Sequence, residues 1–116
     1  MITCLIRYDL GAGKIGDFKQ YARAWMTLIE KYGGTHHGYF VPAAAPPDAE
    51  FSFKGVGRDG PENVGVALFS FPSIEAYESY RREVKNDPNC IAATAQRDAS
   101  ECFTGYERTF LEPVER

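Results

Sequence analysis

The residues with the most evident chemistry are the adjacent pair His36-His37. Imidazole titrates near neutral pH, so one such ring facing a pocket can donate or accept a proton. The surrounding run THHGYFV reads as a strand, and neighbours on a strand point to opposite faces. The two rings therefore cannot chelate one ion from within it. No H-x-H, H-E-x-x-H or carboxylate cluster accompanies them, so no metal site is predicted. One of His36 and His37 is the candidate catalytic group, with Tyr39 and Arg7 orienting a polar part of the ligand. The sequence does not choose between the two, and a histidine packed in a subunit contact fits the pattern equally well.

Further polar groups fall at strand ends: Arg7, Tyr8 and Asp9 near the N-terminus, Glu107 and Arg108 near the C-terminus. They could bind an anionic or polar ligand, but an ion-pair cluster at the sheet edge explains them more simply. Trp25 lies in an apolar helical stripe, where it is either core or the wall of a ligand site. The candidate ligand-binding set is thus Arg7, Tyr8, Trp25, Tyr39 and Arg108. Gly11-Ala12-Gly13-Lys14-Ile15-Gly16 spells G-x-G-x-x-G. A dinucleotide fold would also need a second strand ending in an acidic residue. THHGYFVP has none, so the motif reads as a tight turn into a helix. No Gly-x-Ser-x-Gly setting or C-x-x-C pair supplies a nucleophile.

Several elements must position these groups. Ile2 to Tyr8 is rich in β-branched and aromatic residues and reads as a strand. Ile15, Phe18, Ala22, Trp25, Ile29 and Tyr32 recur at spacings of three and four, which predicts an amphipathic helix stopped by Gly33-Gly34. Thr35 to Val41 is the second strand. Pro42 to Asn63 has no sustained period and is read as a mobile lid or dimer arm, in which Phe51-Ser52-Phe53 could make a short strand or an arm that packs elsewhere. Val64 to Phe71 is apolar on both faces, which predicts a central strand. Ser73 caps a second helix that buries Tyr77, Tyr80 and Val84. Asp87-Pro88 starts a third, anchored by Ile91 and Ala95. Cys102 to Leu111 is the last strand, with Cys102, Tyr106 and Phe110 on one side and Phe103 on the other. The order β-α-β-β-α-(α)-β predicts an α+β, ferredoxin-like fold with an antiparallel sheet in one domain, residues 1–116. Helices on one side of a sheet that is apolar on both sides leave a face for a second copy of the chain.

Composition narrows the classes further. A net charge of −3 without a basic stripe argues against nucleic acid, and Arg81, Arg82 and Lys85 read as a solvated helix face. Sixteen aromatic residues, one Trp with seven Tyr and eight Phe, exceed the needs of a small core and suit a pocket or interface. Cys4, Cys90 and Cys102 are odd in number and widely spaced. They predict reduced thiols and a cytoplasmic setting. Nothing predicts membrane insertion.

The segments GGTHHGYFVP, ALFSFPSIEAYESYRREVKNDP and YERTFLEPV together resemble the NIPSNAP family of the dimeric α/β-barrel superfamily. The likeness runs from Ile2 to Val114 apart from Ala43 to Asn63. It departs at Ala12, where the family usually carries proline, and in the longer segment after Pro42. The resemblance implies a homodimer whose sheets pack face to face, with a cavity between sheet and helices. It implies no particular reaction. The expectation is a homodimer that binds or transforms a small apolar or aromatic metabolite without a tightly bound cofactor. The competing expectation is a non-catalytic interaction or structural module.

Overall fold

The computed structural model describes all 116 residues, Met1 to Arg116. Its elements follow as β1 (Ile2–Leu10), α1 (Ile15–Lys31), β2 (Thr35–Phe40), β3 (Val64–Phe71), α2 (Ile74–Val84), α3 (Pro88–Ser100) and β4 (Phe103–Leu111). The strands form one antiparallel sheet in the order β2-β3-β1-β4. β3 is interior, as its two apolar faces predict. The helices pack on the face that presents Cys4, Tyr8, Phe69 and Phe71, where the core sits. This is the ferredoxin-like α+β arrangement expected from the sequence.

Local chemistry accounts for the helix ends. Beyond α1, the Gly33 N–H bonds to the Glu30 carbonyl at 3.2 Å and the Gly34 N–H to the Ile29 carbonyl at 2.9 Å. Gly33 has φ +90°, so the paired bonds form a Schellman cap that a side chain at this position would strain. Ser73 Oγ accepts the Ala76 N–H at 3.0 Å, capping α2. Asp87 Oδ1 accepts the Asn89 N–H at 2.8 Å at the start of α3. The other oxygen of Asp87 accepts from Lys31 Nζ and Tyr32 Oη, each at 2.7 Å. One buried carboxylate thus ties the end of α1 to the start of α3.

Three expectations are corrected. α3 packs inward through Cys90 and Ala93, whereas Ile91 and Ala95 are exposed. Cys90 and Ala93, three apart, set the inward stripe, and Ile91, one residue beyond Cys90, is turned about 100° away from it. Phe103 is buried on the helix side with Tyr106, 6.0 Å away between ring centroids, and not on the opposite side. A register shift in the β1–β4 pairing between Asp9 and Leu10 supplies the reason, because a bulge rephases the alternation of side chains. Residues 41–63 contain no helix or strand, so of the two readings for Phe51-Ser52-Phe53 the short strand does not form. No helix is long and apolar enough to cross a membrane.

Candidate functional site

A half-open cavity of about 670 Å³ lies between the sheet and the helices. Each wall follows from the period of its element. On β1, alternate residues face the helices, which brings Ile6 and Tyr8 to the floor. Tyr8 pairs across the ladder with Gly65, whose missing side chain leaves room for the Phe18 ring beside it. On β2 and β3 the same face presents Tyr39 and Phe69. Tyr21 and Trp25 stand four apart on α1 and form one wall. Tyr77 and Arg81 on α2 and Lys85, the residue that caps its C-terminal end, form a row at the same spacing, with Tyr80 beside it. The bulge on β4 turns Phe103 inward, where its ring centroid lies 4.8 Å from Tyr8 and 5.2 Å from Tyr21.

The interior is aromatic and its ionisable groups are held neutral. Burial, then the neighbouring tyrosines, pushes the Tyr8 and Tyr39 phenols well above the ordinary tyrosine range. Burial likewise raises Tyr21, Tyr80 and the Cys90 thiol. At neutral pH these groups keep their protons and are neither nucleophilic anions nor bases. The mouth has the opposite character. Arg81, Lys85, Arg97 and Arg108 border it, and no Asp or Glu lines the cavity. Arg97 donates to the Phe103 carbonyl at 2.6 Å and pairs with Asp98 at 3.2 Å. Arg108 donates to Tyr77 Oη at 3.3 Å and lies over the Phe110 ring, while Arg81 lies over Tyr80. The Trp25 indole N–H is buried and makes no well-formed hydrogen bond, although it lies near enough to the Tyr21 hydroxyl to moderate the rise in that phenol.

Of the sequence candidates, Tyr8, Trp25, Tyr39 and Arg108 meet at this cavity. Arg7 does not. It points to the opposite sheet face, paired with Glu107 at 3.2 Å. Neither histidine lines the cavity. His36 Nε2 lies 2.7 Å from Glu30 Oε1 on the helix side. His37 Nε2 lies 2.8 Å from Ser70 Oγ on the uncovered face, and Ser70 in turn shares a hydrogen bond with Thr3 at 2.7 Å. The two rings thus point to opposite faces, as strand geometry requires. The glycine motif forms a tight turn, with the Lys14 N–H bonded to the Gly11 carbonyl at 3.2 Å.

The cavity residues not foreseen include Tyr21, Arg81, Lys85, Arg97 and Phe103. Arg81 and Lys85 remain exposed, as expected for a solvated face, but they stand over the mouth. Their spacing of four and eight from the buried Tyr77 was a usable signal. Phe103 offered none, because its orientation depends on the bulge.

A family model described as NIPSNAP matches residues 3–115. No curated protein matches the chain. Among solved structures, a Burkholderia xenovorans NIPSNAP domain protein aligns over 98% of this chain and 95% of its own, at 18% identity and TM-score 0.71. An Agrobacterium tumefaciens NIPSNAP family protein of unknown function aligns over 98% and 88%, at 17% identity and TM-score 0.72. A Nitrosomonas europaea protein for which antibiotic biosynthesis monooxygenase activity has been proposed aligns over 99% and 100%, at 8% identity and TM-score 0.64. At these identities the likeness is one of fold.

Proposed function

The chain belongs to the NIPSNAP family, and from that premise we propose that it binds a small apolar or aromatic molecule between sheet and helices, as a homodimer. The observation that carries this is the aromatic-walled cavity of about 670 Å³, within the roughly 300–1,000 Å³ typical of small-molecule sites. Tyr8, Trp25 and Tyr39 form the apolar bed and Arg108 meets the polar end. The geometry supports binding further than turnover, since the phenols inside keep their protons and the histidines stand elsewhere. The 8% identity to the Nitrosomonas protein brings no reaction to this chain.

Several features support the dimer. Leu5, Val66 and Leu68 lie on the sheet face without helices, beside the exposed Phe40. Only 20 of 116 residues are buried, and the molecule is a slab of 47 × 41 × 18 Å, which suits one half of a thicker assembly. His37, Ser70 and the Arg7–Glu107 pair then belong to the contact between sheets.

Native mass spectrometry of freshly purified, untagged protein tests both parts. The expected species is a dimer carrying a small-molecule adduct that is lost in Trp25→Arg. A monomer at micromolar concentration contradicts the assembly, and an adduct unchanged in Trp25→Arg contradicts the site. A second reading, an interaction module, draws on the exposed Phe53 and Val56 in the irregular segment. It predicts that deleting residues 48–58 abolishes partner capture and leaves the cavity's ligand binding intact.

A further inference from the structure

We infer that the ligand of this cavity is an organic anion, an aromatic or apolar carboxylate whose head sits between Arg81 and Arg108 and whose body lies on Trp25, Tyr80 and Phe103. The inference rests on the cavity-binding reading above and narrows it to a chemical class. A chain of net charge −3 gathers four cations around one cavity and places no acid among the lining residues. Arg97 is already engaged by Asp98 and the Phe103 carbonyl. Arg81, Lys85 and Arg108 take part in no ion pair.

Arg81 and Arg108 reach the cavity from two elements, one from α2 and the other from β4, where Arg108 donates to Tyr77 Oη one turn from Arg81. Both guanidinium groups act on the same phenol: they hold the Tyr77 hydroxyl down against the rise that burial imposes. Each cation is also steadied by an aromatic plane, Arg108 over Phe110 at 4.9 Å and Arg81 over Tyr80 at 5.7 Å. Guanidinium groups present coplanar donor pairs that match a carboxylate.

The polar lining combines the cationic donors of Arg81, Lys85, Arg97 and Arg108 with tyrosine and threonine hydroxyls that can donate or accept. The tyrosines keep their protons, and the indole N–H of Trp25 and Nε of Arg97 are buried without a well-formed hydrogen bond, the Tyr21 hydroxyl being the nearest help to the indole. Unpartnered buried donors are rare in folded proteins. A ligand carrying acceptor oxygens would satisfy these N–H groups and the cations beside them. The cationic mouth also raises the local concentration of anions and steers them inward.

Isothermal titration calorimetry tests this with acid–amide pairs of the same shape: benzoate, 2-naphthoate and octanoate, each against its primary amide. At low salt at least one acid is expected to bind about tenfold tighter than its amide, the factor associated with a hydrogen bond to a charged group. That preference should vanish in Arg81→Met/Arg108→Met, which keeps the apolar stems in place, while amide binding and the circular dichroism spectrum report an intact cavity. Equal binding of acids and amides would overturn the anion inference and leave the cavity reading standing. Failure of every probe to bind would overturn both. An acid preference retained in the double variant would overturn the Arg81–Arg108 seat.

Discussion

Replacing Gly65 with alanine should destabilise the protein through a single contact. Gly65 lies on β3 opposite Tyr8, and a Cβ there would meet Phe18 Cε2 and Cζ at 2.8 Å. That is about 0.7 Å short of the roughly 3.5 Å at which carbon atoms pack best. Phe18 is fully buried and cannot swing away, because Tyr8 at 5.0 Å, Tyr21 at 6.2 Å and Tyr39 at 6.3 Å between ring centroids surround it. Overpacking of this kind costs about 1–3 kcal/mol. For a chain of this length, 1 kcal/mol corresponds to roughly 4 °C in Tm, so Gly65→Ala should lower Tm by about 4–12 °C. The control is Gly16→Ala. It makes the same chemical change in α1, where the added Cβ has nothing within 4 Å and alanine is the better helix former. Thermal melts followed by circular dichroism, at one protomer concentration because assembly shifts Tm, should show Gly65→Ala falling and Gly16→Ala holding or rising. A Gly65→Ala melt within 1 °C of wild type would refute the wedged contact. An equal loss in both variants would refute the assignment to Phe18. Since Phe18 backs Tyr8 and Tyr21, Gly65→Ala should also weaken ligand binding.

Three further outcomes follow from the same packing. Asp87, held down at about 2 by Lys31, Tyr32 and the Asn89 N–H, has a folded pKa below its unfolded value of about 3.9. Between those values the unfolded chain binds more protons, so stability rises with pH across that window and is lost as pH falls through it. Denaturant titrations should therefore show wild type more stable than Asp87→Asn at pH 5–7, with the gap closing from about pH 4 to pH 2; a gap independent of pH would contradict the tie. Ser73→Ala removes the α2 cap and should cost about 1 kcal/mol, roughly 4 °C in Tm, and an unchanged melt would count against that hydrogen bond. Burial pushes the Cys4 thiol up to about 11, and Cys4 and Cys102 are free, buried and outside the cavity lining, so an aromatic disulfide reagent at pH 7 should titrate these two only after denaturation. Rapid modification of Cys4 in the native protein would be inconsistent with its packing.

Much of this molecule was legible from residue order. The spacing of Phe18, Ala22 and Ile29 set the inward face of α1, Gly33 marked its end, and Ser73 and Asp87 marked the starts of α2 and α3. Tyr8, Trp25, Tyr39 and Arg108 were singled out as residue types and do meet at one cavity. What escaped depended on register. The shift at Asp9/Leu10 decides that Phe103 enters the core, and the one between His36 and Gly38 adjusts how β2 meets β3. Bulges of this kind come from pairing between distant strands, so the local sequence carries no trace of them. Arg7 and Arg108 look alike at strand ends, yet they face opposite sides of the sheet. Only the pairing of Arg7 with Glu107 and of Ile6 with Arg108 reveals which one reaches the cavity.

The most direct test of the binding site is a two-dimensional ¹H–¹⁵N NMR titration with 2-naphthoate and 2-naphthamide, following the single indole N–H of Trp25 together with the backbone. The expected result is saturable movement of the Trp25 indole with at least one of the two compounds, joined by the amides of Tyr8, Tyr21, Tyr39, Tyr80 and Phe103. A Trp25 signal that stays still at saturation, with the shifts gathered instead at Leu5, Val66 and Leu68 on the uncovered sheet face, would contradict it.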